Sequence, residues 1–429
     1  MKSSLSQPLR AGMLFAQITV VAALAFSRCA TAQETYPLKV LPCESKRMID
    51  PQTGAELLFL TTNPADDQSL YYEQRSWLAD SSLIIFNSNR ENGGLMGYLT
   101  KTGELVRLST PKGGLGGATA AWSRNRVFAM RGADVVELSL QIEPSEDPAR
   151  SPSKVTASER VIRTLDDEHM PPNTSLTENA DGTLLAVGVG GRGNANTGKD
   201  GRVITIDVRT GDVAEITRVP GADFGGHIVF SRTNPDLVSF GESGCWIAVM
   251  DVRKKETVFK HKKVEGEFCT HHCWWLGDTI TFCGGRHPQP TEDADVKVID
   301  IRTGVVRIIG KGNWWPGATP AELAKWNWWH ACGSEAGHWV AADNWHGDIG
   351  IFHAKTTRTY WLTRGHRTYG GGTHPEVGWD RKGEQVIFAS HMLGNVDVCI
   401  ATIPKQWQDE WESQCSVDPR YSLSPFDKL

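Results

Sequence analysis

A phrase that returns along the chain constrains its fold more than any single motif does. Ile204-Thr205-Ile206-Asp207-Val208-Arg209-Thr210-Gly211 comes back almost verbatim as Val296-Lys297-Val298-Ile299-Asp300-Ile301-Arg302-Thr303-Gly304. A weaker copy, Thr102-Gly103-Glu104-Leu105-Val106-Arg107-Leu108, follows the apolar run Leu83-Ile84-Ile85-Phe86-Asn87-Ser88. Each copy belongs to a unit of about 40 to 50 residues: a polar-decorated strand, a turn, an apolar strand, a loop, a strand ending in Asp or Thr-Gly, and a last strand. Recurrence at that length marks a propeller or a solenoid. Period-2 strands without helical periodicity select the propeller. Units fall at 71–110, 116–165, 173–219, 225–264, 268–312, 327–366 and 372–404, which predicts an all-β fold, a seven-bladed β-propeller. The last unit lacks its outermost strand, and Leu57-Leu58-Phe59-Leu60-Thr61 is placed to supply it. Closing the ring in that way hides two sheet edges.

The first residues carry Lys2 and Arg10, an apolar run from Met13 to Phe26, and the small residues Ala30-Thr31-Ala32. That order is a signal peptide over residues 1–32, cleaved before Gln33, with one propeller domain over 33–429. The expected location is exported, periplasmic or extracellular, with no later run long enough to span a bilayer. A net charge of −5 gives no basic footprint for nucleic acid. Eight cysteines remain beyond the leader: Cys43, Cys245, Cys269, Cys273, Cys283, Cys332, Cys399 and Cys415. In an oxidising compartment some of them are expected to pair. Cys269 and Cys273 have no second pair to complete a structural zinc motif. The 16 tryptophans lie mostly from Trp246 onward and serve either as packing between sheets or as platforms for sugar rings. Residues 144–152 form a polar insertion, and the glycine-rich loop 188–201 lacks the strand-then-helix setting of a phosphate cradle.

Histidine recurs where blades begin. Gly225-Gly226-His227, Cys269-Thr270-His271-His272, Trp328-Trp329-His330 and Thr373-His374-Pro375-Glu376 open four successive units at nearly the same offset. The first strand of a blade lines the channel, so these side chains are expected to meet at one mouth. The segment from Thr373 reads as an inner strand, and His374 and Glu376, two apart, are expected on one face of it. The segment leads into an Asp380-Arg381-Lys382-Gly383 turn and a buried strand. Imidazole and carboxylate suit a divalent transition ion, and His271, His374 and Glu376 are the favoured trio. His227 is the favoured base, since a neutral imidazole accepts a proton near ambient pH. His330 is a substrate-binding candidate. Arg202, opening its strand behind the glycine-rich loop, is a candidate clamp for a carboxylate, with a plain strand-end arginine as the other reading. His272 points away from His271 and is expected to pack.

The segments Gly226-His227, Glu265-Gly266-Glu267-Phe268-Cys269-Thr270-His271 and Thr373-His374-Pro375-Glu376 resemble the oligogalacturonate lyases, polysaccharide lyase family 22. The resemblance runs through most of the mature chain and is densest in blades three to seven. It implies a seven-bladed propeller that cleaves short acidic oligosaccharides, the uronate chains of pectin, by metal-assisted β-elimination with manganese. It implies His227 as base, Arg202 at the active site, and His271 and His374 as metal ligands. Two positions depart from the family pattern: its glutamine falls on Gly371, and its last histidine falls on Glu376. Glutamate can still ligate a hard divalent ion, whereas glycine offers no side chain. Another uronate polymer such as ulvan, or a non-catalytic ligand-binding propeller, is the alternative reading. Paired carboxylates for hydrolysis are not evident.

Overall fold

The computed structural model describes residues 34–409 apart from 110–112, 170–171, 192–198, 244, 264–265, 286–293, 338, 354–358 and 368–372. The leader over 1–32, Gly371 and Cys415 lie outside the described residues.

The repeated phrase folds as a turn that its own residues dictate. Asp207 accepts hydrogen bonds on its carboxylate from the backbone N–H groups of Arg209 (2.9 Å) and Thr210 (2.7 Å). Gly211 N–H then closes on the Asp207 carbonyl at 2.8 Å, with φ +73°. Asp300 and Gly304 repeat the arrangement at φ +71°. In the fourth blade Asp251 does the same, but Lys255 stands in the glycine's place at φ +58°. A left-handed non-glycine costs about 1–2 kcal/mol, so the aspartate's bonds hold that turn without its glycine.

Seven antiparallel sheets result, one per blade. Their inner strands are Asp67–Gln68, Gly116–Ala120, Thr177–Glu178, Phe224–Phe230, Thr270–Trp274, Trp328–Gly333 and Gly378–Trp379. The ring closes as the sequence implies. Glu56–Phe59 pairs with Asp397–Thr402 in the last blade, in the register Cys399↔Phe59, Ile400↔Leu58, Ala401↔Leu57. Lys46–Ile49 adds a fifth strand outside it. Two further strands near the start, Glu34–Pro37 and Lys39–Leu41, cover the outer edges of the second and first blades. The insertion 144–152 is the loop between the long strands Asp134–Glu143 and Lys154–Thr164. Among the described residues no helix is long and apolar enough to cross a membrane.

Packing between blades explains much of the tryptophan. Trp274 and Trp275 are buried, and their indole N–H groups donate to Val229 of the blade before and Ser334 of the blade after, both at 3.0 Å. Trp379 donates to the Cys332 carbonyl at 2.8 Å, tying the seventh blade to the sixth. A large ring with one satisfied polar edge is well suited to such wedges.

Two expectations are corrected. Cys245, Cys269, Cys273, Cys332 and Cys399 are buried thiols and Cys43 is an exposed one, so no disulfide joins these six. The five buried ones lie on or beside the strands, and Cys273 and Cys332 both meet the Arg232 guanidinium at 3.4 Å. Residues 373–377 are not a strand, because the seventh inner strand begins only at Gly378. Glu376 takes φ +56°, so strand alternation does not relate it to His374.

Candidate functional site

The mouth is built by irregularities in the inner strands. Pairing slips between Gly226 and Val229, between Thr270 and Cys273, and between Trp328 and His330. Bulges re-aim the residues they contain. His227 and His271 lie inside the first two slips at φ +54° and +51°, and Glu376 adopts a like conformation before the seventh blade. Such strained backbone persists only where the surroundings hold it, and it gathers at functional sites.

These distortions bring four blades together. Ring centres of His227 and His271 lie 5.1 Å apart, those of His271 and His330 4.3 Å, and those of His330 and His374 5.5 Å. His227, His271 and His330 are buried. His272 is buried behind them, its Nε2 3.1 Å from Ser239 Oγ, as its position predicts.

Each imidazole has a different partner. Glu73 Oε1 lies 2.5 Å from His227 Nδ1. The Tyr72 hydroxyl lies 3.0 Å from that same oxygen and 2.9 Å from the His272 carbonyl. Burial, with the Glu73 charge beside it, holds the Tyr72 phenol well above its usual range, so it stays a donor. Asp343 grips His330 Nδ1 at 2.9 Å and also accepts from the His330 backbone N–H at 2.8 Å. Burial pulls His330 down, but the Asp343 and Glu376 carboxylates outweigh it and its pKa is raised. Burial drives His271 well below its ordinary value, and His330, His227 and His374 add to the effect. His374 is lowered chiefly by burial. Glu376 is pushed up to about 8 by burial despite the nearby His330. Groups of one type are thus set apart in proton affinity, as acid–base sites require.

Aromatic rings frame the opening. Trp329 packs 4.5 Å from His271, Trp345 4.9 Å from His374 and Trp246 5.8 Å from His227, centre to centre. The indole N–H groups of Trp246 and Trp345 are buried without a hydrogen-bond partner. Trp274, Trp275 and Trp379 follow the packing reading, whereas Trp246, Trp329 and Trp345 stand beside the histidines.

Arg202 occupies another position. Its backbone pairs with Val189 and Arg218 at the start of the third strand of its blade. Its guanidinium lies 3.4 Å from Glu168 and 3.6 Å from Glu215. Among the described residues no contact joins it to the histidines.

The mouth offers imidazole and carboxylate donors of the types that divalent ions take. His374 Nδ1 and Glu376 Oε2 are buried without a hydrogen-bond partner, and His330 Nε2 lies 3.7 Å from that Glu376 oxygen. Asp343 behind His330 is the carboxylate-to-histidine support that metal ligands commonly have. With protein groups alone Glu376 is driven towards its neutral form, and a cation would supply the missing counter-charge. The donor atoms of His271, His374 and Glu376 are nonetheless not all mutually close. Among the described residues, the donor group lying entirely within 4.8 Å is His261, Glu267 and Cys269.

Sequence comparison missed Tyr71, Tyr72, Glu73, Asp343, Trp246, Trp329 and Trp345 at this site. Tyr71-Tyr72-Glu73 stands at the first unit's start, so aligning all unit openings would have raised it. Asp343 lies on a second strand and carries no such signal.

No protein-family model and no curated relative matches this chain. Solved structures do. An oligogalacturonate lyase in complex with manganese superposes with TM-score 0.65 at 17% identity, covering 87% of this chain and 98% of that one. An oligogalacturonate lyase from Vibrio parahaemolyticus gives TM-score 0.67 at 16% identity, covering 87% of this chain and 100% of its own. The likeness establishes the fold. It is a seven-bladed propeller over nearly the whole length of both neighbours.

Proposed function

We propose that the histidine-lined mouth is the active centre of a polysaccharide lyase that cleaves acidic oligosaccharides of the oligogalacturonate class by β-elimination. The observation that carries this reading is the meeting of His227, His271, His330 and His374 from adjacent blades, with His227 oriented by Glu73. The chain also shares its fold with two lyases of that class.

Glu73 accepts the Nδ1 proton of His227, which leaves the lone pair on Nε2. Nε2 takes the proton from the ring carbon beside the uronate carboxylate. The electron pair forms the double bond to the neighbouring carbon, the bond from that carbon to the glycosidic oxygen breaks, and the departing oxygen is protonated at the open mouth. A divalent ion, manganese or a similar hard cation, would be drawn to the Glu376–His330 pair, with His374 and His271 turning towards it, and would neutralise the uronate carboxylate and acidify the adjacent C–H. The Trp246 and Trp345 N–H groups, which have no hydrogen-bond partner, would orient sugar hydroxyls, while Tyr72 holds Glu73 in place. Arg202, apart from the histidines, would exchange exposed Glu168 for the carboxylate of a sugar further along the chain. The leader over 1–32 sends the protein out of the cytoplasm, where such polymers are met.

Ultraviolet absorbance of unsaturated uronide, followed on oligogalacturonate and on ulvan fragments, tests the proposal. Wild type should generate the chromophore on one of them, and His227→Ala should lose it while still binding that substrate. Wild-type rates in His227→Ala would remove the base. Binding without product from either polymer would favour a ligand-binding propeller.

A further inference from the structure

Between the fourth and fifth blades lies a donor group that the lyase reading does not use. His261 follows the outer strand Glu256–Lys260, and Glu267 and Cys269 precede the inner strand Thr270–Trp274. One donor atom from each lies within 4.8 Å of the others. His261 Nε2 is buried, lacks a hydrogen-bond partner, and lies 3.4 Å from Glu267 Oε2. Cys269 is 3% exposed and His261 5%.

We propose that His261 Nε2, Glu267 Oε2 and Cys269 Sγ form a zinc site separate from the mouth. Zinc bonds of about 2.0–2.3 Å in a tetrahedron put neighbouring donors roughly 3.3–3.8 Å apart, and the histidine–glutamate separation already falls in that range. A thiolate beside imidazole and carboxylate selects zinc over the harder cations suited to the mouth. Glu267 is prepared for single-oxygen ligation, because Lys297 Nζ sits 3.3 Å from its other oxygen, Oε1. Glu267 and the Cys269 thiolate together offset the two charges of zinc, and Lys297 stays paired to the far oxygen of Glu267 with one positive unit in excess. On binding, Cys269 gives up its thiol proton to solvent as the Zn–S bond forms, with no change of oxidation state. Water fills the fourth position.

The backbone is fixed on both sides. His261 N–H donates to the Ile247 carbonyl at 2.9 Å, and Phe268 and Gly285 exchange backbone bonds at 2.8 and 3.1 Å. Zinc would therefore staple the end of one blade to the segment that runs straight into His271.

The test uses the full-length protein, stripped by a chelator and titrated with cobalt(II), which reports a thiolate ligand by a near-ultraviolet charge-transfer band. One equivalent should give the band, Cys269→Ser and His261→Gln should abolish it, and His374→Ala at the mouth should leave it intact. Zinc should raise the melting temperature of wild type by several degrees and leave Cys269→Ser unmoved. If Cys269→Ser does not fold, His261→Gln at the end of an outer strand gives the same reading. A wild-type protein that binds cobalt without the band, or a band that survives in Cys269→Ser or His261→Gln, would overturn the proposal. Because the readout is spectroscopic, its failure leaves the lyase reading untouched.

Discussion

At the scale of single residues the mouth is a set of oriented imidazoles. Glu73→Gln keeps the shape of the His227 partner but removes the carboxylate that fixes its tautomer. Turnover should fall about 10²-fold or more, with little change in KM; an unchanged kcat would show that His227 needs no such orientation. Asp343→Asn should weaken divalent-ion affinity about 10–100-fold, because it loosens His330. Isothermal titration with manganese measures this, and wild-type affinity would place the ion elsewhere. The histidines were legible in the sequence because they recur at one offset in a repeat. Glu73 and Asp343 were not, because each meets its histidine only through the fold. Arg202 was legible as a strand-end arginine, but its glutamate partners come from the short 3-10 helix Asp167–His169 and from the next strand.

At the scale of elements the inner strands give up regular pairing to aim side chains. Strict alternation failed as a guide at His374 and Glu376, since that segment is not a strand and Glu376 takes a left-handed backbone. The closing strand is the opposite case. Its apolar run Leu57-Leu58-Phe59-Leu60 was readable, and Phe59 is fully buried opposite Cys399. Phe59→Ala should cost about 3–5 kcal/mol, visible as a lower denaturant midpoint. A shift within error would mean that the ring does not depend on this closure. The strands Glu34–Pro37 and Lys39–Leu41 escaped notice because they only extend sheets already complete.

At the scale of the whole molecule, closure also carries a pH signature. Asp397, on the strand that receives the closing strand, is pushed up to about 7 by burial, with Asp67 adding to the effect. Its folded pKa therefore stands above the unfolded carboxylate value. The stability it contributes is fully present below about pH 4 and is lost as pH rises through 7. Asp397→Asn should stabilise the protein by on the order of 1–2 kcal/mol above pH 7, after discounting for solvent screening, and hardly at pH 4. Melting curves at the two pH values check this, and equal shifts at both would refute it. Seven blades were countable from the repeat because the Asp-to-Gly turn recurs. The thiol state was not, because compartment says which cysteines can pair and only packing says which ones meet.

The account rests on elimination at the mouth, and one measurement addresses it directly: mass spectrometry of the products from an acidic oligosaccharide cleaved in oxygen-labelled water. Elimination predicts an unsaturated fragment, one water lighter than its hydrolytic counterpart, with no label introduced at the cut. A labelled, saturated fragment would contradict it and make the mouth a hydrolase instead.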